Sequence, residues 1–593
     1  MGNKAQLLNY GLIGNGQTCA LVSQAGSLDW LCLPAFDSPF VFDKILDAEN
    51  GACFSIQPSG SDRYTTSQEY AKNSNVLMTT YQSDKASFRI HDFMPRWEIW
   101  DGSSAHAPME AYRYVEVLSG EPEVIVHLQC RLNYQAEPLQ YTILDHATVL
   151  FQNESEKIYL TCSVSPQDVV MKQPIRLRGP AFFVLSYGEP VHEPTVASVK
   201  EKLDRTNLYW QRWIKNCYLP DEYQKEIVRS LLTLKQLQYH RTGAFVAAPT
   251  TSIPEEVGGH RNWDYRFCWI RDSYFTVNAL LKLSKFEESE SFIAYMAKIL
   301  EKETTLLRPL YTIDGNPVPP VTSLTHLPGY LDSKPVRIGN DATYHNQTDV
   351  YGEAILIIYP LFMDERVVRT DYQPLWKDVE KLVSMAIAKF PEKDNGIWEI
   401  ENPPRHYTFS KLLCWAAVDR GCKIAYRLKH DRQYRTWNSI RNRMKDEILK
   451  KAWNDNVQAF TQYYGGDSLD SSTLLMPVLD LIDGKDPRMV ATVQRSEEQL
   501  MRNGLMFRYT NHDGLGIPNN AFTICTFWLI DALILSGQKK KARKYFENML
   551  SFGNHLNLFS EHINPDTGQM TGNFPQAYTH VAIINSAILL AEH

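Results

Sequence analysis

The pattern of apolar and polar positions divides the chain near residue 200. Before it, short runs rich in Val, Ile, Tyr and Phe recur between turn signals: Thr18–Ser23, Leu28–Leu33, Val76–Tyr81, Ser87–His91, Tyr114–Leu118, Glu123–Leu128, Thr148–Phe151, Lys157–Ser163 and Ala181–Ser186. Many short strands at that spacing predict an antiparallel β-sandwich. A charged segment of helical period, Val196–Asn216, then crosses towards a second domain. From Asp221 the period is helical almost to the end. Helices are predicted over Tyr223–Tyr239, Asp272–Leu283, Glu287–Leu300, Asp349–Met363, Leu375–Lys389, Lys411–Leu428, Tyr434–Ala452, Ala521–Gly537, Lys539–Ser551 and Tyr578–Ala591. At roughly 30 residues per helix and loop, this segment holds about a dozen helices. A dozen helices in alternating inner and outer order close as a toroid of pairs, with chemistry on the loops at one mouth. The expected division is a sandwich over 1–195, a helical linker over 196–220 and a helical domain over 221–593.

Composition narrows the function classes. A chain of 593 residues that is 44% hydrophobic and 22% charged supports a large core. Its formal charge of −7 argues against a nucleic-acid partner, whose phosphates need a basic face. The apolar runs Ala354–Met363 and Cys525–Leu535 fall short of the roughly 20 residues of a membrane span. The N-terminus lacks the apolar block of a secretory signal, and Gln6 stands where myristoylation wants Ser or Thr, so the expected location is cytoplasmic. Leaderless export would leave no mark in the sequence. The ten cysteines form no CxxC pair and the sixteen histidines show no ligand spacing, so the reading is reduced core cysteines and no metal. No dinucleotide fingerprint, P-loop, HExxH or GxSxG motif occurs. The informative count is aromatic: 13 Trp, 31 Tyr and 25 Phe make up 12% of the chain. That excess fits either rings packed beneath loops or a groove that stacks sugar rings.

Three loop clusters combine aromatics with charges. In Tyr265-Arg266-Phe267-Cys268-Trp269-Ile270-Arg271-Asp272, just before a helix, Arg271 and Asp272 offer the donors and acceptors that a polyol requires. The other reading is a helix cap, Asp272, with a salt-bridged Arg. In Trp398-Glu399-Ile400-Glu401, a carboxyl beside Trp398 is either desolvated, and so a general acid, or solvated. In Leu558-Phe559-Ser560-Glu561-His562, upstream of Gly572-Asn573-Phe574-Pro575, Glu561 is either the partner carboxylate or a solvated loop residue.

Together these loops resemble glycoside hydrolase family 15, the glucoamylase-like and trehalase-like glycosidases. The likeness runs from Gly11-Leu12-Ile13-Gly14-Asn15-Gly16 and Gly26-Ser27-Leu28-Asp29-Trp30-Leu31-Cys32-Leu33-Pro34 through Asn262-Trp263-Asp264-Tyr265 and Gly396-Ile397-Trp398-Glu399. It ends at Gly572-Asn573-Phe574-Pro575-Gln576-Ala577-Tyr578. The resemblance implies an N-terminal β-sandwich followed by an (α/α)6 barrel, and an inverting exo-hydrolase of α-glucans or α-glucosides that needs no cofactor. On the matching positions Glu399 is similar to the general acid and Glu561 to the general base. Tyr265, Trp269, Arg271 and Asp272 are similar to the terminal-glucose subsite, and Arg508 to a sugar-holding arginine. Trp398 joins them as a pocket aromatic. Inversion places the two carboxyls about 6.5–9.5 Å apart, with room for a water.

The chain departs from bacterial relatives at Glu401, where Arg is frequent, at Asn519-Asn520 before Ala521, where Glu-Gly is frequent, and at Ala35, where Arg is frequent. These positions bear on the leaving-group side. The leading expectation is a glucohydrolase of starch- or glycogen-type chains releasing β-glucose, with α,α-trehalase as its alternative. Phosphorolysis dispenses with the base carboxylate, so Glu561 argues against it. A non-catalytic regulatory or carbohydrate-binding domain is the remaining reading, against which both carboxylates speak.

Overall fold

The computed structural model describes residues 7–60, 63–99, 105–303, 306–367, 372–400 and 403–592. Two positions discussed above, Gln6 and Glu401, lie outside the described residues.

Among the described residues, eight strands form one antiparallel sheet in the order Tyr141–Ile143, Thr148–Gln152, Lys157–Cys162, Ala181–Tyr187, Glu110–Ser119, Ser87–Phe93, Leu77–Gln82 and Thr65–Tyr70. Seven more form the facing sheet: Tyr10–Gly14, Cys19–Ser23, Ser27–Cys32, Phe54–Pro58, Glu123–Leu128 and Ile175–Arg176, with Phe40–Phe42 paired to the third. Alternation is clearest in Leu77–Gln82, where Leu77, Thr79 and Tyr81 are buried and the residues between them are not. This period of two is what a sheet with one core face requires. The sheets also share a polar bolt. Arg113, fully buried on the larger sheet, pairs with Asp92 at 2.7 Å and donates to the carbonyls of Phe54 and Gly26 on the smaller one. A buried guanidinium is tolerable only with such a full set of acceptors.

The linker helix Val196–Lys215 opens with a capping box, in which Thr195 and Ser198 satisfy each other's backbone N–H. Beyond it the chain winds into two concentric rings. The inner ring runs Ile270–Lys282, Val350–Met363, Thr408–Arg427, the short 3-10 turn Ser471–Leu475, Thr523–Leu535 and Ala577–Glu592, and the last packs back on the first. The outer helices Gln224–Gln236, Phe286–Lys302, Gln373–Lys389, Asp431–Lys451, Pro487–Leu500 and Lys539–Leu550 cover it. This is the six-fold helical barrel expected, with one inner helix reduced to a 3-10 turn. The inner helix Thr523–Leu535 is buried along almost its whole length, as a helix wrapped by neighbours must be, and its one carboxyl, Asp531, accepts from Ser586 at 2.6 Å.

The sandwich braces the barrel's mouth. Trp30 donates its indole N–H to the Pro249 carbonyl at 2.7 Å, and Arg266 reaches the Ser38 carbonyl at 2.7 Å. Arg266 is itself locked by Asp264 at 2.7 Å, with both side chains essentially buried. The loop carrying Tyr265 and Trp269 is therefore pinned from below by the first domain.

Candidate active site

All six inner elements begin at one end of the barrel. Trp269, Arg271, Asp272, Phe522 and Gln576, at the starts of three of them, line a cavity of about 990 Å3 counted with its open mouth. Of two others, Asp470 accepts from the lining residue Trp398, and Tyr407 belongs to the small apolar cluster on which Trp398 packs. Asp349, at the sixth, lies close enough to Arg271 and Glu399 to feel their charge. Helix N-termini carry partial positive charge, so this mouth favours carboxylates.

The cavity is lined by all eight residues singled out in the sequence: Tyr265, Trp269, Arg271, Asp272, Trp398, Glu399, Arg508 and Glu561. The side chain of Glu561 is 2% exposed and that of Glu399 is 26% exposed. One carboxylate is thus deep and the other nearer the mouth, and neither is a solvated loop residue.

Their mounts differ. Glu561 directly precedes a small three-stranded sheet, Ala521–Phe522, His562–Ile563 and Met570–Thr571. It accepts a hydrogen bond from the Tyr265 hydroxyl. Burial and the Glu561 charge push the Tyr265 hydroxyl well above its ordinary range, so it stays a donor. Glu399 sits on a loop in the left-handed region, at φ 51. Such strain in a non-glycine residue persists only where surroundings over-determine it, and it clusters at functional sites. Here Arg271 donates to the Ile397 carbonyl at 2.8 Å and stands 3.4 Å from Glu399, while Gln347 holds the Gly396 carbonyl at 2.9 Å.

Trp398 is fixed by its indole N–H, which donates to Asp470 at 2.9 Å, and by Phe522 and Trp528 at 5.5 and 5.7 Å. Asp272 is not a helix cap. The helix begins at Ile270, and Asp272 lies in its first turn, paired to Arg271 at 3.3 Å. Burial, against the pull of Arg271 and with the push of Glu399 and Glu561, raises Asp272 to about 6.

The wall around Arg508 contains residues that sequence reasoning missed. Arg508 donates to Glu255 at 2.9 Å, and Arg261 grips Asp513 through two bonds of 2.7 and 2.8 Å. Arg261 and Glu255 are brought to this wall from about 250 residues away in sequence, so no local pattern marks them. Asn520, one of the departures noted above, donates to the Glu255 carbonyl at 2.7 Å and to Thr571 at 3.0 Å. Ala35 is buried in the sandwich and does not line the cavity.

Behind Arg271 lie two carboxyls one helical turn apart, Asp349 and Glu353, each with an oxygen that finds no hydrogen-bond partner. Burial first, and the neighbouring Asp394 second, push Asp349 from 3.8 up to about 8; burial and Asp349 push Glu353 up as well. A carboxyl whose folded value is raised binds its proton more tightly folded than unfolded. Its contribution is therefore present below about pH 4 and is lost as pH rises through about 8. Asp349→Asn, which has no proton to lose, is expected to stabilise the fold by roughly 1–3 kcal/mol at pH 8 and by less at pH 5. Thermal unfolding at the two pH values checks this, and an equal shift at both would refute it.

Comparison with known proteins agrees with this architecture. The family described as Glycosyl hydrolases family 15 matches residues 221–588, and that described as Trehalase-like, N-terminal matches residues 1–163. The chain is 34% identical to a trehalase of Thermoplasma volcanium, over 98% of this chain and 93% of the relative. It is also 34% identical to a trehalase of Mycolicibacterium smegmatis, over 98% of this chain and 91% of the relative. A bacterial glucoamylase solved in complex with acarbose superposes with a TM-score of 0.72 at 14% identity, covering 99% of this chain and 94% of that one, a likeness of fold. No helix among the described residues is long and apolar enough to cross a membrane. With both domains matched and the loop clusters gathered in one cavity, the chain belongs to glycoside hydrolase family 15 and is a glycoside hydrolase of α-glucosidic bonds.

Proposed function

We propose that this enzyme is an inverting α,α-trehalase, with Glu399 as general acid and Glu561 as general base. The observation that carries the substrate is the 34% identity to trehalases along almost the whole chain, against a fold-level likeness to the glucoamylase. The sequence alone put glucan hydrolysis first and trehalose second; full-length similarity supports the reverse order.

The geometry supports the roles. One glucose enters the cavity against the wall formed by the touching rings of Tyr265 and Trp269, with Arg271 and Asp272 on its hydroxyls. Glu399, on the mouth side, gives its proton to the glycosidic oxygen as the C1–O bond breaks. Glu561, at the floor, takes a proton from the water that attacks C1 from the opposite face. The buried ring leaves as β-glucose, and the departing ring keeps its α configuration.

Trehalose cleavage followed by NMR is therefore expected to yield α- and β-glucose in equal amounts before mutarotation. Release of α-glucose alone would exclude inversion. In a panel of trehalose, maltose, maltotriose, isomaltose and glycogen, trehalose is expected to show the highest kcat/KM. Preference for maltotriose or glycogen would return the glucoamylase reading.

A further inference from the structure

His562 follows the base directly and lies between two carboxylates. Its Nδ1 is 3.3 Å from Glu561 Oε2, and its Nε2 is 3.7 Å from Glu255 Oε2. The three side chains are 1%, 2% and 10% exposed, so no bulk water separates them. Neither ring nitrogen makes a hydrogen bond, so what joins the ring to the two carboxylates is proximity and charge. The ring is held by Phe522, edge-on at 4.6 Å, and by the missing side chain of Gly572, where a Cβ would come within 3.1 Å of Nδ1.

A neutral imidazole has one N–H and one lone pair. Either neutral tautomer would leave a lone pair beside a carboxylate oxygen in a dry site. A doubly protonated ring instead sets a positive charge beside both oxygens. Glu255 already has Arg508 at 2.9 Å and Arg261 at 4.0 Å, and Arg261 is shared with Asp513. Glu561 has the neutral Tyr265 hydroxyl on its other oxygen and no Lys or Arg in ion-pair contact with it among the described residues. Burial alone would raise Glu255, but Arg508, His562 and Arg261 together hold it below the usual carboxylate range.

We propose that His562 is a positioning residue for the base, a protonated imidazole clamped between Glu255 and Glu561 that keeps Glu561 ionised and fixes its orientation. The proposal rests on Glu561 being the general base. It adds a chain Arg508–Glu255–His562–Glu561 that ties the sugar-holding wall to the water-activating carboxylate.

The test is the pH dependence of kcat/KM on trehalose for the wild type, His562→Gln and Glu561→Gln. Loss of a positive charge beside the base should move the acidic limb of the His562→Gln profile to higher pH, with KM little changed. A merely structural histidine would lower turnover and leave that limb in place. An unmoved acidic limb in a folded His562→Gln overturns the proposal. If His562→Gln does not fold, 15N NMR of the wild-type imidazoles decides: His562 should carry both ring protons at the pH of maximal kcat/KM. A His562 ring with a single proton at that pH overturns the proposal. Near-normal activity of Glu561→Gln would instead remove the base assignment, a failure distinct from that of His562.

Discussion

Glu399→Gln is expected to lower trehalose turnover by about 10²–10⁴-fold while sparing much of the activity on α-glucosyl fluoride; Glu561→Gln is expected to lose activity on both. Glucose is a poor leaving group and departs only with a proton, which on the proposed roles Glu399 supplies from its place nearer the mouth. Fluoride departs with far less protonic help, so it bypasses the acid. No substrate bypasses the base, because a water must still be deprotonated as it attacks C1. Steady-state rates for two variants on two substrates form a four-cell comparison. If the spared variant were Glu561→Gln, the two roles would have to be exchanged. Full activity of either variant on trehalose would remove that residue from the mechanism.

Gly572→Ala should be nearly as damaging, although Gly572 has no side chain to do chemistry. A Cβ there would stand 2.8 Å from the Glu561 Cβ and 2.9 Å from its Oε2. Real Cβ atoms do not approach so closely, so Glu561, the proposed base, must move. A displacement on the order of 1 Å in a catalytic group costs about 10²-fold in rate. The residue also has φ 79, which charges alanine an additional backbone penalty of about 1 kcal/mol. Gly465→Ala separates the two effects. Gly465 has φ 71 but open space where its Cβ would go. It should lose stability in thermal unfolding while keeping normal kcat, and equal kcat losses in both variants would disprove displacement of the base.

Much of this architecture is legible in the chain because the periods are strong. Leu77–Gln82 alternates, and Tyr578–Ala591 repeats as a buried helix must. What escaped had a physical reason. Thr65–Tyr70 is an edge strand with mostly exposed side chains, so no apolar alternation marks it. Pro487–Leu500 buries Thr492 and Ser496 among its core residues, which breaks the apolar stripe. Ser471–Leu475 completes the inner ring with only five residues, too few for any period to register. At the site, the clusters around Trp269, Trp398 and Glu561 stood out because aromatics and charges adjoin on loops. The solvated readings of Glu399 and Glu561 stayed open because exposure is a tertiary property. The link from His562 to Glu255 is likewise made only by folding, between residues that share no local motif.

The unequal mounting of the two carboxylates has a thermal consequence. Glu561 hangs from a hydrogen-bonded sheet, whereas Glu399 rides a strained turn held by Arg271 and Gln347. On warming, the turn should loosen first. Trehalose turnover, which on the proposed roles needs both groups, would then fade while α-glucosyl fluoride is still hydrolysed, and the ratio of the two rates becomes a gauge of a single loop in a barrel that remains folded.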